Sequence, residues 1–174
     1  KMKKVEHGKT FDRNAANPPA FEIFHNTVTE GYPKHWHTAI EIIMPTRGEY
    51  EVVVGKDSYN LKEGDIIMIN SGVVHGMRFV SQGERIVMLV EPGCVENQEE
   101  METIFLRLPA IYFKKEDEED PFYLFLRSQI LELVREYDNE GAVMTHRICT
   151  GLKELFSEFG RKGFSDANAQ NTFG

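Results

Sequence analysis

Two histidines and a glutamate fall close together in the stretch His35-Trp36-His37-Thr38-Ala39-Ile40-Glu41. Imidazole and carboxylate groups bind borderline divalent cations such as Zn, Ni, Fe or Mn. They are equally suited to hydrogen-bonding a polar small molecule. The offsets i, i+2 and i+6 are all even. On a β-strand alternate side chains share a face, so a single strand here would carry both imidazoles and the carboxylate on one side. Ala39 and Ile43 share that parity. Trp36 has the opposite parity and is expected to pack outside, against a helix or the N-terminal arm. His75 follows one hairpin later and would bring a third imidazole to the group. The set reads either as a metal site or as a polar patch that recognises a small molecule.

The elements that must position these groups are strands. Residues 21–91 contain seven short strand-like runs: 21–25, 39–44, 49–54, 58–61, 65–70, 75–80 and 85–91. Turn residues separate them, at Thr46-Arg47-Gly48, Gly55-Lys56-Asp57, Lys62-Glu63-Gly64, Ser71-Gly72 and Ser81-Gln82-Gly83. Such spacing suggests an antiparallel sandwich or barrel. Met77 and Phe79 share the parity of His75 and are expected to face the interior. Tyr50 and Arg47 are placed near its mouth, with Arg47 solvated in its turn. His7, His25 and His146 are isolated, with surface or structural roles.

After residue 92 the pattern becomes helical. Asn97 and Glu100 form a capping-box pair for a short helix ending near Leu108. Ala110 to Phe113 is apolar and brief, and the charge run from Lys114 to Asp120 reads as a solvated loop. Asp120-Pro121 is a helix start, with Asp as N-cap and Pro at the first helical position. Phe122, Phe125, Leu126, Gln129, Ile130, Leu133, Val134 and Tyr137 recur at helical spacing. The helix ends at 138–141. A second amphipathic helix carries Ile148, Leu152, Leu155, Phe156 and Phe159 on one side. Leu124, Leu131 and Val143 lie off these stripes, and an exposed apolar helical face marks a partner surface.

With 174 residues, the chain suits one domain plus a small appendage. A net charge of −8 argues against a nucleic-acid surface, which needs clustered Lys and Arg. Cys94 and Cys149 form no CxxC pair, so each is expected to be a small buried apolar residue in a reducing cytoplasm. No signal sequence and no run of ~20 apolar residues is present. Because the sequence opens on Lys1, a longer natural protein is expected.

The segment Gly31, His35-x-His37-x3-Glu41-x6-Gly48 resembles the first cupin motif, with the leading glycine two residues closer than usual. Gly64-x5-Asn70-x-Gly72-x2-His75-x3-Phe79 is similar to the second, with Asn70 where proline is usual and Phe79 where asparagine is usual. With the helix pair that follows, nearly the whole chain resembles the sensor domain of AraC-type transcription regulators. That resemblance implies a mainly β fold: a cupin (double-stranded β-helix, jelly-roll-like) barrel followed by a C-terminal α-helical hairpin. It implies an arm over 1–20, the barrel over 21–95, a helical segment with a dimerisation hairpin over 96–163, and a linker or cut end over 164–174. It also implies a small effector, often a sugar, in the barrel, with His35, His37, Glu41, His75, Met77 and Tyr50 as the expected contacts.

By the same resemblance, the homodimer forms through the helices, with Leu124, Leu131, Ile148, Leu152 and Leu155 as its residues. DNA is bound only through a further domain beyond Gly174, and no membrane is involved. No cofactor is required and no catalytic residue is assigned; Zn, Ni, Fe or Mn on His35, His37, Glu41 and His75 is an optional occupant. The alternative is a cupin metalloenzyme, a dioxygenase or isomerase, using the same three histidines and glutamate.

Overall fold

Short apolar runs punctuated by turns produce nine strands among the described residues. The computed structural model describes residues 20–27, 31–95, 108–117 and 119–162, apart from the side chains of Phe79 and Asp117. The expected arm with Phe11, the helix after Asn97 and the linker-like end lie outside the described residues. The strands are β1 (Phe21–Asn26), β2 (Tyr32–His35), β3 (Ile40–Arg47), β4 (Tyr50–Val54), β5 (Asp57–Leu61), β6 (Ile66–Ile69), β7 (His75–Phe79), β8 (Glu84–Val90) and β9 (Ala110–Phe113). Seven match the expected runs. β2 was not expected because it holds Pro33, which lacks the N–H a ladder needs. β9 is the brief apolar run before the charged loop.

Two antiparallel sheets face one another. One has the order β1-β8-β3-β6-β9 and the other β2-β7-β4-β5. Between them lies an interior of Ala39, Ile43, Tyr50, Val52, Val54, Leu61, Ile67, Ile69, Met77, Val87, Leu89, Ala110 and Tyr112. The five-stranded sheet is buried on its other face as well, where Ile40, Ile42, Met44, Ile66, Met68, Ile86, Met88 and Val90 meet the helices. Burial of both faces explains why β3, β6 and β8 read as nearly continuous apolar runs rather than alternating ones.

The helices are α1 (Pro121–Asp138) and α2 (Met144–Lys162). Asp120 caps α1 as expected: its carboxylate accepts from the Phe122 N–H at 2.9 Å. Tyr123, off the expected stripe, is buried and donates its hydroxyl to the Gly64 carbonyl at 2.6 Å, pinning α1 to the β5–β6 turn. Gly64 sits at φ +84°, a conformation that a side chain would strain. The hairpin closes tightly at Gly151, where a Cβ would stand 2.8 Å from Leu133.

Three of the expected dimer residues face the interior of the chain. Ile148, Leu152 and Leu155 are each 0% exposed in the single chain, because α2 turns this face onto the sheet. Leu124 (47%) and Leu131 (37%) do remain exposed.

The cysteines are also not separate buried fillers. Both are half-buried, and their sulfurs lie 3.3 Å apart, joining the turn after β8 to α2. Burial and the neighbouring Cys149 thiol push Cys94 up to about 12.

Candidate functional site

The three histidines and the glutamate do converge, but not along one strand. His35 ends β2 in the four-stranded sheet, where it pairs with His75 of β7. Glu41 is on β3 in the five-stranded sheet, opposite Ile69 of β6. His37 lies in the crossover between the sheets, held by the Gly72 N–H donating to the His37 carbonyl at 2.8 Å. The expectation of one continuous strand face fails because the chain changes sheets at residues 36–39. Trp36 is on this crossover and is 53% exposed, rather than packed beneath a helix.

The convergence is close. One ligand atom from each of His35, His37, Glu41 and His75 lies within 4.8 Å of all the others. Glu41 Oε2 stands 2.9 Å from the Nε2 atoms of both His37 and His75. All three imidazoles are anchored by backbone carbonyls. Nδ1–H donates to Pro33 O at 2.9 Å from His35, to Ala39 O at 2.9 Å from His37, and to Val73 O at 2.8 Å from His75. A carbonyl only accepts, so each Nδ1 carries a proton. In a neutral ring Nε2 is then a lone pair, and it points into the cluster.

Two states satisfy this geometry. Without a cation, the short Nε2–Glu41 contacts need protons between them. Burial pushes the Glu41 carboxyl up, but hydrogen bonds from His37 and His75 and their positive charge outweigh it and hold it at about 2. The proton between Glu41 and His75 therefore belongs to the imidazole. Burial lowers His75, but its hydrogen bond and attraction to Glu41 and its bond to Val73 outweigh that and raise it. With a divalent cation, the metal replaces those protons. The donor set is borderline in softness, and the backbone carbonyls that accept from each Nδ1–H are the outer-shell partners that metal-bound histidines have. The residues fit a metal.

The other expected contacts separate. Met77 is 2% exposed and lies in the interior, beside β2 and β4. Tyr50 does not reach a mouth: it is 0% exposed, and its strand pairs with Leu61 and Phe79, toward the other end of the interior from His75. Arg47 is solvated as expected and pairs with Glu84 at 3.2 Å.

Two interior residues were missed. Arg85 is fully buried and has the inward parity of Val87 and Leu89 on β8. A lone arginine in step with inward aliphatics was the signal. Tyr32 lies on the unexpected β2. A register irregularity between Tyr32 and His35 turns both inward although their spacing is odd, and their rings are 6.2 Å apart. Asn70, where proline is usual in the motif, accepts from Ser71 N–H at 2.7 Å and donates its backbone N–H to Pro109 O at 2.9 Å. It thus fastens the turn to the approach of β9.

Residues 26–91 match the family model described as "Cupin domain". Among solved structures, apo ToxT from Vibrio cholerae is similar at 12% identity and TM-score 0.54, covering 84% of this chain and 58% of that one. A conserved protein of unknown function from Streptococcus pyogenes is 17% identical at TM-score 0.41, covering 52% of this chain and 94% of that one. A mutant oxalate decarboxylase from Bacillus subtilis is 19% identical at TM-score 0.35, covering 41% and 20%. No curated protein matches the chain. The molecule therefore holds a cupin domain of two antiparallel sheets followed by two C-terminal helices. No described helix is long and apolar enough to cross a membrane.

Proposed function

We propose that this chain is the effector-sensing and dimerising part of a cytoplasmic AraC-type transcription regulator, binding a small metabolite in its cupin barrel without catalysing a reaction. One observation carries this reading: strand β3 serves both the site and the helices. Its inward residues include Glu41 and Ile43, while Ile40, Ile42 and Met44 pack on the helical side. An occupant that moves β3 changes the surface on which the hairpin rests. That is a physical route from effector to dimer, provided the occupant binds the two states unequally. The fold likeness to ToxT, an AraC-family regulator, extends beyond the barrel and supports the same order of barrel and helices.

In this reading a second copy covers Leu124 and Leu131, seven residues apart on α1, and DNA is contacted by a separate domain. His35, His37, Glu41 and His75 would hold a divalent cation, which supplies Lewis acidity or a fixed positive charge when bound. The anchored Nδ1–H groups favour a second reading, a cupin metalloenzyme using the same four ligands.

Metal analysis of protein prepared without a nickel column, paired with a metabolite-binding screen, separates the two. The sensor reading expects a metabolite whose binding alters hydrogen exchange in α1 and α2, with no turnover by the metal-loaded chain. Near-stoichiometric metal and turnover, both lost in His37→Ala, would replace it with the enzyme.

A further inference from the structure

Arg85 is the largest fully buried side chain of the described residues, and its charge has no counterion among them. No carboxylate of the described residues lies within ion-pair distance of it. Its Nη2 donates to the Tyr32 hydroxyl, which also accepts from Asn26 Nδ2 at 3.3 Å. Its Nε and Nη1 find no acceptor, and neither does the nearby Tyr50 hydroxyl. The rings of Tyr32 and Tyr50 each lie 4.9 Å from the guanidinium carbon. Such rings stabilise the cation through its face. They leave the Nε and Nη1 donors unsatisfied.

An unpaired buried charge with free donors is among the costliest arrangements a core can hold. Three features define what is missing. It carries negative charge, because one guanidinium stands uncompensated. It accepts hydrogen bonds from Arg85 and from the Tyr50 hydroxyl. It has an apolar body, because Ile43, Val52, Met77 and Val87 occupy the interior between this end and the histidine cluster. Gly83 suits such a place: a Cβ there would stand 2.8 Å from the Tyr50 hydroxyl.

We propose that the barrel end formed by Arg85, Tyr50 and Tyr32 binds the carboxylate of a small organic acid, making the effector an anion rather than a neutral sugar. This rests on the sensing reading above. Arg85 neutralises the carboxylate and Tyr50 donates to it. Tyr32 touches both Arg85 and His35, and so links this end to the histidine cluster.

The test uses the whole chain with acetate and benzoate as probes, against acetamide and benzamide, at constant ionic strength set with chloride. Melting temperature and titration calorimetry are read. At least one carboxylate is expected to raise the melting temperature saturably, while its amide does not. Arg85→Gln should weaken that binding at least tenfold, and Tyr50→Phe about threefold.

The ligand-free Arg85→Met protein should melt no lower than wild type, because an unpaired charge has been removed. A lower melting temperature there would mark Arg85 as a structural post and overturn the assignment. So would equal binding of acid and amide, no response to either acid, or stabilisation by chloride alone. A neutral sugar that binds wild type and Arg85→Gln equally would overturn the assignment while leaving the sensing reading in place.

Discussion

Glu41 is the residue on which the polar cluster turns, because its single Oε2 serves two imidazoles. Its carboxyl falls from an ordinary 4.5 to about 2 on folding. That difference corresponds to about 3 kcal/mol of stability. A depressed carboxylate contributes fully above pH 4.5 and loses its contribution as pH falls toward 2. His75 moves the opposite way, above its ordinary 6.5. Its contribution is complete below 6.5 and is lost as pH rises through its folded value. The two shifts describe one shared interaction and do not add. Metal-stripped protein should therefore be most resistant to urea between about pH 4.5 and 6.5. Urea midpoints across that range would check this; a midpoint that keeps rising from pH 6 to 9 would contradict it. The cluster's residue types were legible from sequence. The anchoring of each Nδ1 on a backbone carbonyl was not, because it depends on carbonyl directions set by the crossover.

At the scale of elements, the hairpin separates into a core face and a free face. Leu152 is fully buried against the sheet, while Leu124 stands half exposed. Leu152→Ala should cost ~2–5 kcal/mol through lost burial and the cavity left behind. Leu124→Ala should change monomer stability by no more than ~0.5 kcal/mol. Thermal unfolding of both variants distinguishes them, and equal losses would mean that the hairpin packs otherwise. The helical periodicity of 122–159 was readable because one turn repeats every 3.6 residues. The role of each stripe was less so, since an apolar stripe has the same pattern whether it covers a sheet or a second copy. β2 escaped detection because Pro33 lacks a ladder donor and its bulge breaks the even spacing on which strand reading depends.

At the scale of the molecule, three layers form: the four-stranded sheet, the five-stranded sheet and the hairpin. On the hairpin the large apolar residues left exposed are then Leu124, Leu131 and Val143 rather than the α2 stripe, and the proposed dimer would use the first two. Leu124→Glu with Leu131→Glu should leave the barrel folded and shift the chain to a monomer in sedimentation. Dimer retained at low micromolar concentration would mean that other surfaces make the contact. Both ends of the barrel interior carry polar groups, with histidines and Glu41 at one and Arg85 with Tyr50 at the other. An occupant spanning them would touch both sheets, and the five-stranded sheet would pass the change to the helices.

The sequence alone determined the cupin pattern, seven of the nine described strands, the two described helices and the four potential metal ligands, because parity, turn chemistry and capping are local properties. Tertiary structure decided the rest. The histidines meet Glu41 across two sheets rather than along one strand, since the chain crosses over after His35. The α2 stripe is core because the five-stranded sheet needs its outer face covered. Arg85 became a candidate ligand contact only once β1, β2, β4 and β8 closed around it, since burial without a counterion is a property of the surroundings and not of an arginine in a sequence.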